Sequence, residues 1–450
     1  MSSFYTNDTL ERCLRDILDV IKPLLGDVTT RYQIINEFKA VVESVESLRG
    51  ATVEPFGSFV SNLYTRWGDL DISIEIPCGS LVSSAGKKSK QKFLRDVLKV
   101  LRSRGGVRNL EFIPNARVPL LIFVSNHQNI SCDISISNLL GQIKSKFLLW
   151  ITQIDERFRD MVLLIKEWAK SQQINDPKTG TLNSYSLCML VIFHFQTCEP
   201  AILPPLHEIY AGNIVDDLTG SRVTAERNIQ DTCTANIERY KRNRFGNVNK
   251  SSLSELFISF FQKFSRINMM ALEQAICTYT GRWEHKRSNA KWTKTYPLLV
   301  EDPFERPENA ARAVSMRQLI KISEAFERTY FKLVSSRDRN LLISSLVRPH
   351  ISSELNTGTP HGNPISLHGG SGRYPPLLSR AVPPVQNQVR NMRYETNPSP
   401  MRYETNRYET NPSPMRYETN PSPSVPSRRP GSATHVQGGQ QVWKPKYSAR

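Results

Sequence analysis

One short segment constrains the fold more than any other, the run LDISIEI that follows Asp69. From Asp69 to Ile76, apolar residues alternate with Asp69, Asp71, Ser73 and Glu75. A period of two predicts a β-strand, in which side chains two residues apart share a face. Two neighbouring carboxylates repel unless a cation lies between them, and Mg²⁺ prefers oxygen ligands. A D-x-D pair on its own would predict only a strand with a solvated acidic face.

Two neighbouring features favour a catalytic site. Upstream, Gly57 and Ser58 precede or begin a predicted helix, SFVSNLYTRW, and a glycine turn at a helix N-terminus presents free N–H groups to phosphate. Downstream, the alternating run ISCDISI predicts a second strand, which carries Asp133. If the two strands are neighbours, Asp133 supplies a third carboxylate. Three carboxylates beside a phosphate-binding turn predict phosphoryl transfer assisted by two divalent ions, Mg²⁺ or Mn²⁺.

The pattern along the chain predicts three folded parts and a tail. We predict N-terminal helices over 1–45 that break near Pro23 and pack on a helical domain, a mixed α/β unit over 46–145, and a mainly helical domain over 146–344. After residue 345, Pro, Ser, Gly, Asn and Gln dominate, and Arg-Tyr-Glu-Thr-Asn occurs four times. So short a repeat, interrupted by prolines, builds no core, so 345–450 is predicted to be a disordered basic tail.

Composition narrows the partner and the compartment. The formal charge of +17, from 59 Lys+Arg and 42 Asp+Glu, points to nucleic acid before a membrane. The basic stretch from Lys87 to Arg108 could follow an RNA backbone or form a solvated helix face. Seven cysteines without a C-x-x-C pair, and no signal-peptide pattern or spanning run, predict a protein of the nucleus or cytoplasm with no membrane contact.

The motifs together resemble those of the noncanonical poly(A) polymerase and terminal uridylyltransferase family of the polymerase-β-like nucleotidyltransferases. The resemblance covers roughly residues 10–340 and is carried by VEPFGSFVSNLYTRWGDLDISIE, ARVPLL, SCDISI, LLIKEWAKSQQIN, NSYSL and VEDPFERPENAAR. Within the family the match is closest to the plant branch that uridylates small RNAs lacking a 3′-terminal methyl group. The resemblance implies a nucleotidyltransferase palm over 46–145 and a PAP-associated, nucleotide-recognition domain over 146–344.

The resemblance also implies a role for each matching residue. Asp69, Asp71 and Asp133 would be the catalytic residues and metal ligands. The nucleotide-binding residues would be Gly57 and Ser58 at the phosphates, Lys166 and Lys170 at the triphosphate, Ser184 and Tyr185 at the base, and Asp302, Glu305 and Glu308 in the base-recognition loop. Outside this context, the two lysines would be interpreted as solvated and Tyr185 as a core residue.

Two positions depart from the family pattern. Uridylyltransferases of this branch carry an adenine-excluding histidine three residues after the loop glutamate, where this chain has Glu308. An asparagine that commonly contacts the ribose is missing from the run GQIKSKF, which offers Lys144 and Ser145 instead. The missing histidine favours adenylyl transfer, whereas the plant resemblance favours uridylyl transfer.

We therefore predict a template-independent transferase that adds uridines from UTP to RNA 3′ ends and promotes RNA decay. Its expected substrates are small RNAs without a terminal 2′-O-methyl group and cleaved mRNA fragments. Small-RNA effector proteins are the expected protein partners, and a monomer is expected. The alternatives are an RNA adenylyltransferase and, of another class, an inactive RNA-binding scaffold, which the intact Gly-Ser pair and three aspartates disfavour.

Overall fold

The chain folds into an α/β palm and a larger helical domain. The computed structural model describes residues 8–77, 86–244, 248–290, 292 and 294–357. The Arg-Tyr-Glu-Thr-Asn repeats, and the prediction of disorder made for them, lie outside the described residues. None of the helices in the described ranges combines the length and apolar character needed to cross a membrane.

The two N-terminal helices pack on different parts of the molecule. α1 (Asp8–Ile21) buries Leu14 and Ile17 in the core of the helical domain. α2 (Leu25–Glu43) instead buries Ile34 and Phe38 in the core of the palm. The predicted break near Pro23 is present, but the expectation that all of 1–45 packs on the helical domain is wrong for α2, because its apolar residues face the sheet.

A five-stranded mixed sheet forms the palm. Its strands are β1 (Thr52–Phe56), β2 (Leu70–Glu75), β3 (Val107–Ile113), β4 (Leu120–Ser125) and β5 (Ser131–Ile136). They lie in the order β1-β2-β5-β4-β3. β2 and β5 are parallel, and the other neighbouring pairs are antiparallel. Both predicted alternating strands are confirmed, as β2 and β5, and they are neighbours.

One face of the sheet is apolar and covered. Ile72 of β2 and Ile134 of β5 are buried in one cluster with Leu94 and Val97 of α4 (Lys87–Arg104). Because side chains alternate along a strand, Asp71 and Asp133 project from the opposite face. The basic residues of α4 therefore lie behind the sheet, which favours a solvated helix face over an RNA path beside the carboxylates.

The helix predicted for SFVSNLYTRW is mostly absent. α3 spans only Gly57–Val60, followed by irregular turns that lead to β2. Asn62 has a positive φ of 57°, a conformation that cannot continue a right-handed helix. The turn allows Leu63 and Tyr64 to be buried. The burial of these two side chains favours the turn over the helix that the sequence pattern predicts.

The helical domain surrounds an aromatic core. The fully buried Trp168 contacts Phe261 and Phe326 at ring-centroid distances of 4.6 and 4.8 Å, and its indole N–H donates to Thr329 Oγ1 at 2.9 Å. The helices are α5 (Leu139–Thr152), α6 (Glu156–Ser171), α7 (Ser184–Gln196), α8 (Leu206–Ile209), α9 (Ile214–Asp217), α10 (Arg222–Asn243), α11 (Leu253–Phe264), α12 (Ile267–Glu273), α13 (Met316–Ser335), α14 (Arg339–Leu346) and α15 (Pro349–Thr357).

The boundaries of this domain differ from the prediction. The expected start at 146 falls inside α5, whose Ile143 and Phe147 both pack in the helical core. A hairpin of β6 (Gln274–Cys277) and β7 (Arg282–His285) interrupts the helices and was not predicted. The expected end at 344 is too early, because Ile351 of α15 is fully buried in the same core.

Candidate active site

Two adjacent strands bring the predicted carboxylates together. Asp71 of β2 is the register partner of Asp133 of β5, so the two side chains leave the same face of the sheet side by side. Asp69 immediately precedes β2 and is exposed. The prediction that Asp133 joins the Asp-x-Asp pair requires the two strands to be neighbours. The parallel pairing of β2 with β5 meets this requirement.

The electrostatics of these carboxylates are unfavourable without a counter-charge. Burial raises the pKa of Asp71 to about 7, with further contributions from Asp133 and Asp69. Burial and the charge of Asp69 raise the pKa of Asp133 to about 6. Negative charge is thus concentrated at one point of the palm, where a bound cation would favour the ionised forms.

The donor chemistry fits a hard divalent cation, because all three groups are carboxylates on one face of the palm. In the described ranges, however, no three His, Cys, Asp or Glu side chains are already gathered closely enough to enclose a metal ion. The backbone fixes the positions of the three Cα atoms, and a cation would have to draw the carboxylate groups together.

Gly57 makes the closest backbone approach to Asp71. Its φ is +67°, and a Cβ atom added there would lie 1.9 Å from Asp71 Oδ2. The Gly57 N–H donates to Ser145 Oγ at 2.7 Å, and the Ser58 backbone acts to lower the pKa of the Asp71 carboxyl. Of the two amides expected at the phosphates, that of Gly57 thus has a protein partner, and that of Ser58 lies close enough to Asp71 to stabilise its charge.

The two predicted lysines lie on the last turns of α6. Lys166 is buried and donates to the Leu63 carbonyl at 2.7 Å. Burial lowers its pKa, as does Lys170, while Asp71 and Asp69 act in the opposite direction. Lys166 thus lies within electrostatic range of the carboxylates, and Lys170, one turn further on, is half-buried.

The predicted base-recognition residues form one connected network around a lysine. The Tyr185 hydroxyl donates to Asp302 Oδ1 at 3.0 Å. Lys144 Nζ donates to Asp302 Oδ2 and to Glu305 Oε2, both at 2.5 Å, and lies 5.2 Å from the centroid of the Tyr185 ring. Although burial raises it, Lys144 and Arg117 hold the pKa of Glu305 below its usual range.

Glu308 occupies the edge of this network. Its carboxylate lies 4.0 Å from Arg117 and 3.7 Å from Arg312, and its side chain is 43% exposed. The Asp302 N–H donates to the Glu308 carbonyl, and the Glu308 N–H donates to the Glu305 carbonyl. The loop is therefore closed on itself, with Glu308 facing two cations and solvent.

Asn183 and Ser184 join α7 to its surroundings. The Asn183 side chain caps α7 by accepting from the Ser186 N–H at 2.7 Å, and its amide donates to the Ala310 carbonyl at 2.8 Å. The Ser184 hydroxyl pairs with Asn175. These bonds hold the start of α7, and with it Tyr185, against the end of the base-recognition segment.

Sequence reasoning missed the roles of Lys144 and Arg117 in this network. Lys144 was identified only as a departure from the ribose-binding asparagine, and Arg117 only as part of the ARVPLL run. Their acidic partners lie 158 to 188 residues further along the chain. The available signal was a basic residue in each of the runs ARVPLL and GQIKSKF, Arg117 and Lys144, and two acidic residues, Asp302 and Glu305, in the run VEDPFERPENAAR.

Comparisons with known proteins agree with this architecture. A family model described as poly(A) RNA polymerase, mitochondrial-like, central palm domain matches residues 10–153. The chain is 57% identical over 350 residues to protein HESO1 of Arabidopsis thaliana, covering 78% of this chain and 68% of that protein. It is 28% identical over 342 residues to human poly(A) RNA polymerase GLD2, covering 75% of this chain and 65% of that protein.

Solved structures share the fold. A structure of the Cid1 poly(U) polymerase with MgGTP bound has a TM-score of 0.60 at 24% identity, covering 76% of this chain and 98% of that one. A structure of mtPAP in complex with UTP has a TM-score of 0.59 at 20% identity, covering 77% and 72%. Because a 57% identical relative is matched over two thirds of its length, the chain belongs to the noncanonical poly(A) polymerase and terminal uridylyltransferase family of the polymerase-β-like nucleotidyltransferases.

Proposed function

We propose that the chain transfers uridylyl groups from UTP to the 3′-hydroxyl of RNA. The observation that carries this proposal is the register pairing of Asp71 with Asp133, with Asp69 one residue before the strand. In the reaction the RNA 3′-oxygen bonds to the α-phosphorus, and the bond between that phosphorus and the α–β bridging oxygen breaks. The products are RNA longer by one nucleotide and pyrophosphate.

Asp69, Asp71 and Asp133 would hold two divalent ions, Mg²⁺ or Mn²⁺. When bound, such ions lower the pKa of an attacking hydroxyl and neutralise the charge of a triphosphate and its leaving group. The contribution of the chain is to fix the carboxylates on two hydrogen-bonded strands. The Asp71 carboxylate lies against the Gly57 turn, and the Ser58 backbone favours its ionised form.

The chain's cations orient the triphosphate. Lys166 and Lys170 are one turn apart on α6, and therefore on one side of that helix. Lys166 interacts with Asp71 and is tied to the carbonyl of Leu63, so it lines the carboxylate side of the site. Lys170 is the more accessible of the two, and it is the lysine that we assign to the outer phosphates.

The base would be held by Tyr185 and the acidic loop. Ring stacking on Tyr185 binds any base, so the choice of uracil has to come from polar groups at its edge. Lys144 donates only, which suits a uracil carbonyl, and the carboxylates accept only, which suits the N3–H. Asp302 already accepts from Tyr185 and Lys144, and Glu305 already accepts from Lys144 and Arg117. Glu308 is therefore the better candidate for the N3–H.

The RNA would be a small RNA with a free terminal ribose, and its uridylation would promote decay. The net charge of +17 supports a polyanionic substrate. Adenylyl transfer is the second candidate, and it is favoured by one observation: Glu308, which contacts Arg117 and Arg312, excludes a purine less firmly than a histidine would.

The test is extension of a labelled RNA by the purified full-length chain with each triphosphate supplied separately. We expect the longest products with UTP, and no extension by Asp71→Ala under any condition. Asp96→Ala is the matched control, because Asp96 lies on α4 behind the sheet. Best use of ATP would establish the adenylyltransferase, and no extension with any triphosphate would favour the scaffold.

A further inference from the structure

The loop that leads into Asp69 is clamped from two directions. On the palm side, Arg31 of α2 is fully buried, and its guanidinium donates to the carbonyls of Arg66 and Gly68 at 3.1 and 2.6 Å. The Arg66 N–H donates to the Ile21 carbonyl at 3.0 Å. Trp67 of this loop is 39% exposed, and on the palm side its ring lies 5.8 Å from the guanidinium of Arg66, which is paired with Asp27 of α2.

Residues near the C-terminal end of the described chain contact the loop from its other side. The Arg348 guanidinium lies 5.8 Å from the centroid of the Trp67 ring, within the range of a cation–π contact. His350, in the first turn of α15, meets the same ring edge-on, with centroids 5.3 Å apart at 89°. The segment that was predicted to begin a disordered tail therefore contacts the residue two positions before Asp69.

Arg348 also binds the helix that carries the two lysines. Its Nε and Nη2 atoms donate to the two oxygens of Glu167 at 2.9 and 2.8 Å, and its backbone N–H donates to Oε1 at 3.1 Å. Glu167 is only 1% exposed and follows Lys166 directly in α6. A two-bond guanidinium–carboxylate pair fixes orientation as well as distance.

We propose that Arg348 is a positioning residue for nucleotidyl transfer, which fixes the loop ending at Asp69 relative to the helix carrying Lys166 and Lys170 by joining Trp67 to Glu167. The inference rests on the proposed function, because its consequence is the alignment of carboxylates with the triphosphate. It assigns a positioning role to the residue that immediately precedes α15. Neither Arg348 nor Trp67 contacts the reacting atoms, so both act through Asp69 and α6.

The test uses Trp67→Ala and Arg348→Lys in the full chain. Because Trp67 is partly exposed, its loss removes the clamp surface without opening the core. Arg348→Lys keeps a positive charge opposite the buried Glu167 but loses the two parallel hydrogen bonds that the guanidinium makes. Trp67→Phe restores an aromatic face, and Phe331→Ala, at a side chain 58% exposed on α13, is the matched control for loss of an exposed ring.

We expect kcat for UTP-dependent extension to fall about tenfold or more in Trp67→Ala and Arg348→Lys, because misplacement by about 1 Å can cost about 100-fold. The KM for RNA should stay near wild type in both variants, the melting temperature should stay near wild type in Trp67→Ala, and Trp67→Phe should recover most of kcat. The second readout is hydrogen exchange of the Arg66 and Gly68 amides, which should quicken in both variants and not in Phe331→Ala.

The two readouts separate the failure of this inference from that of the proposed function. A wild-type chain that extends no RNA refutes the proposed function, and amide exchange alone then decides whether the clamp orders the loop. Wild-type kcat in both variants overturns the positioning role. Unchanged exchange in both variants overturns the clamp itself.

Discussion

Gly57 offers the sharpest test of how the carboxylates are positioned. A Cβ atom at this residue would lie 1.9 Å from Asp71 Oδ2 and 2.6 Å from its Cγ, whereas real Cβ contacts essentially never fall below 3.0 Å. In Gly57→Ala the carboxylate therefore has to retreat by about 1 Å. A displacement of about 1 Å at a reacting centre can cost about 100-fold in rate, so we expect kcat for RNA extension to fall by about that factor.

The matched control separates this displacement from backbone strain. Gly57 has φ +67° and Gly105 has φ +70°, but a Cβ at Gly105 meets nothing within 4 Å. Gly105 also has a ψ of −160°, and this combination is essentially restricted to glycine. Urea unfolding should therefore show a backbone cost of about 1–3 kcal/mol in Gly105→Ala without any displaced carboxylate. Only Gly57→Ala should lose activity in single-turnover extension of labelled RNA. Equal activity of the two variants would refute the reasoning.

Four further predictions test the remaining roles. Asp69→Ala or Asp71→Ala should abolish RNA extension without lowering the melting temperature, because a metal site that lacks one carboxylate cannot align the triphosphate; full activity of Asp71→Ala would contradict this. RNA with a terminal 2′-O-methyl group should be extended poorly, since the methyl group adds bulk and removes a donor, and equal rates on methylated and unmethylated RNA would remove the small-RNA assignment. UTP should be preferred over ATP, and Glu308→His should widen that preference. Tyr185→Ala should weaken the binding of UTP and ATP alike, because stacking worth roughly 1–3 kcal/mol is available to any base. Both effects are measured as kcat/KM with each nucleotide. Lys144→Met should lower the free energy of unfolding by about 2 kcal/mol, because Asp302 and Glu305 lose a charged donor. An unchanged free energy of unfolding in urea titration would contradict this.

Local pattern predicted the parts of the site that depend on one segment. The alternation around Asp71 fixes a strand and a polar face, because burying Leu70, Ile72 and Ile74 leaves the carboxylates on the other side. The same logic located the strand of Asp133. It could not establish that the two strands are neighbours, because strand order depends on the packing of the whole palm.

Local sequence pattern could not predict interactions between distant segments. After Gly57, the burial of Leu63 and Tyr64 replaces the predicted helix with a turn. Beyond residue 345, the proline-rich composition gave no indication that Ile351 of α15 is buried. In both places a tertiary contact decided the structure. The core fold was thus predictable where each element carries its own periodicity, and the ends of domains were not.

Lys144 and Ser145, which stand in the run that lacks the family's ribose-binding asparagine, lie at the junction of the site. Ser145 Oγ accepts from the Gly57 N–H at 2.7 Å, and the preceding Lys144 bonds to Asp302 and Glu305. Consecutive residues of α5 therefore connect the turn beside Asp71 to the base-recognition loop. The contacts to the Gly57 turn and to the base-recognition loop thus come from two adjacent residues of one helix. A substitution at Lys144 is therefore expected to be felt next to the residue that holds the Gly57 turn.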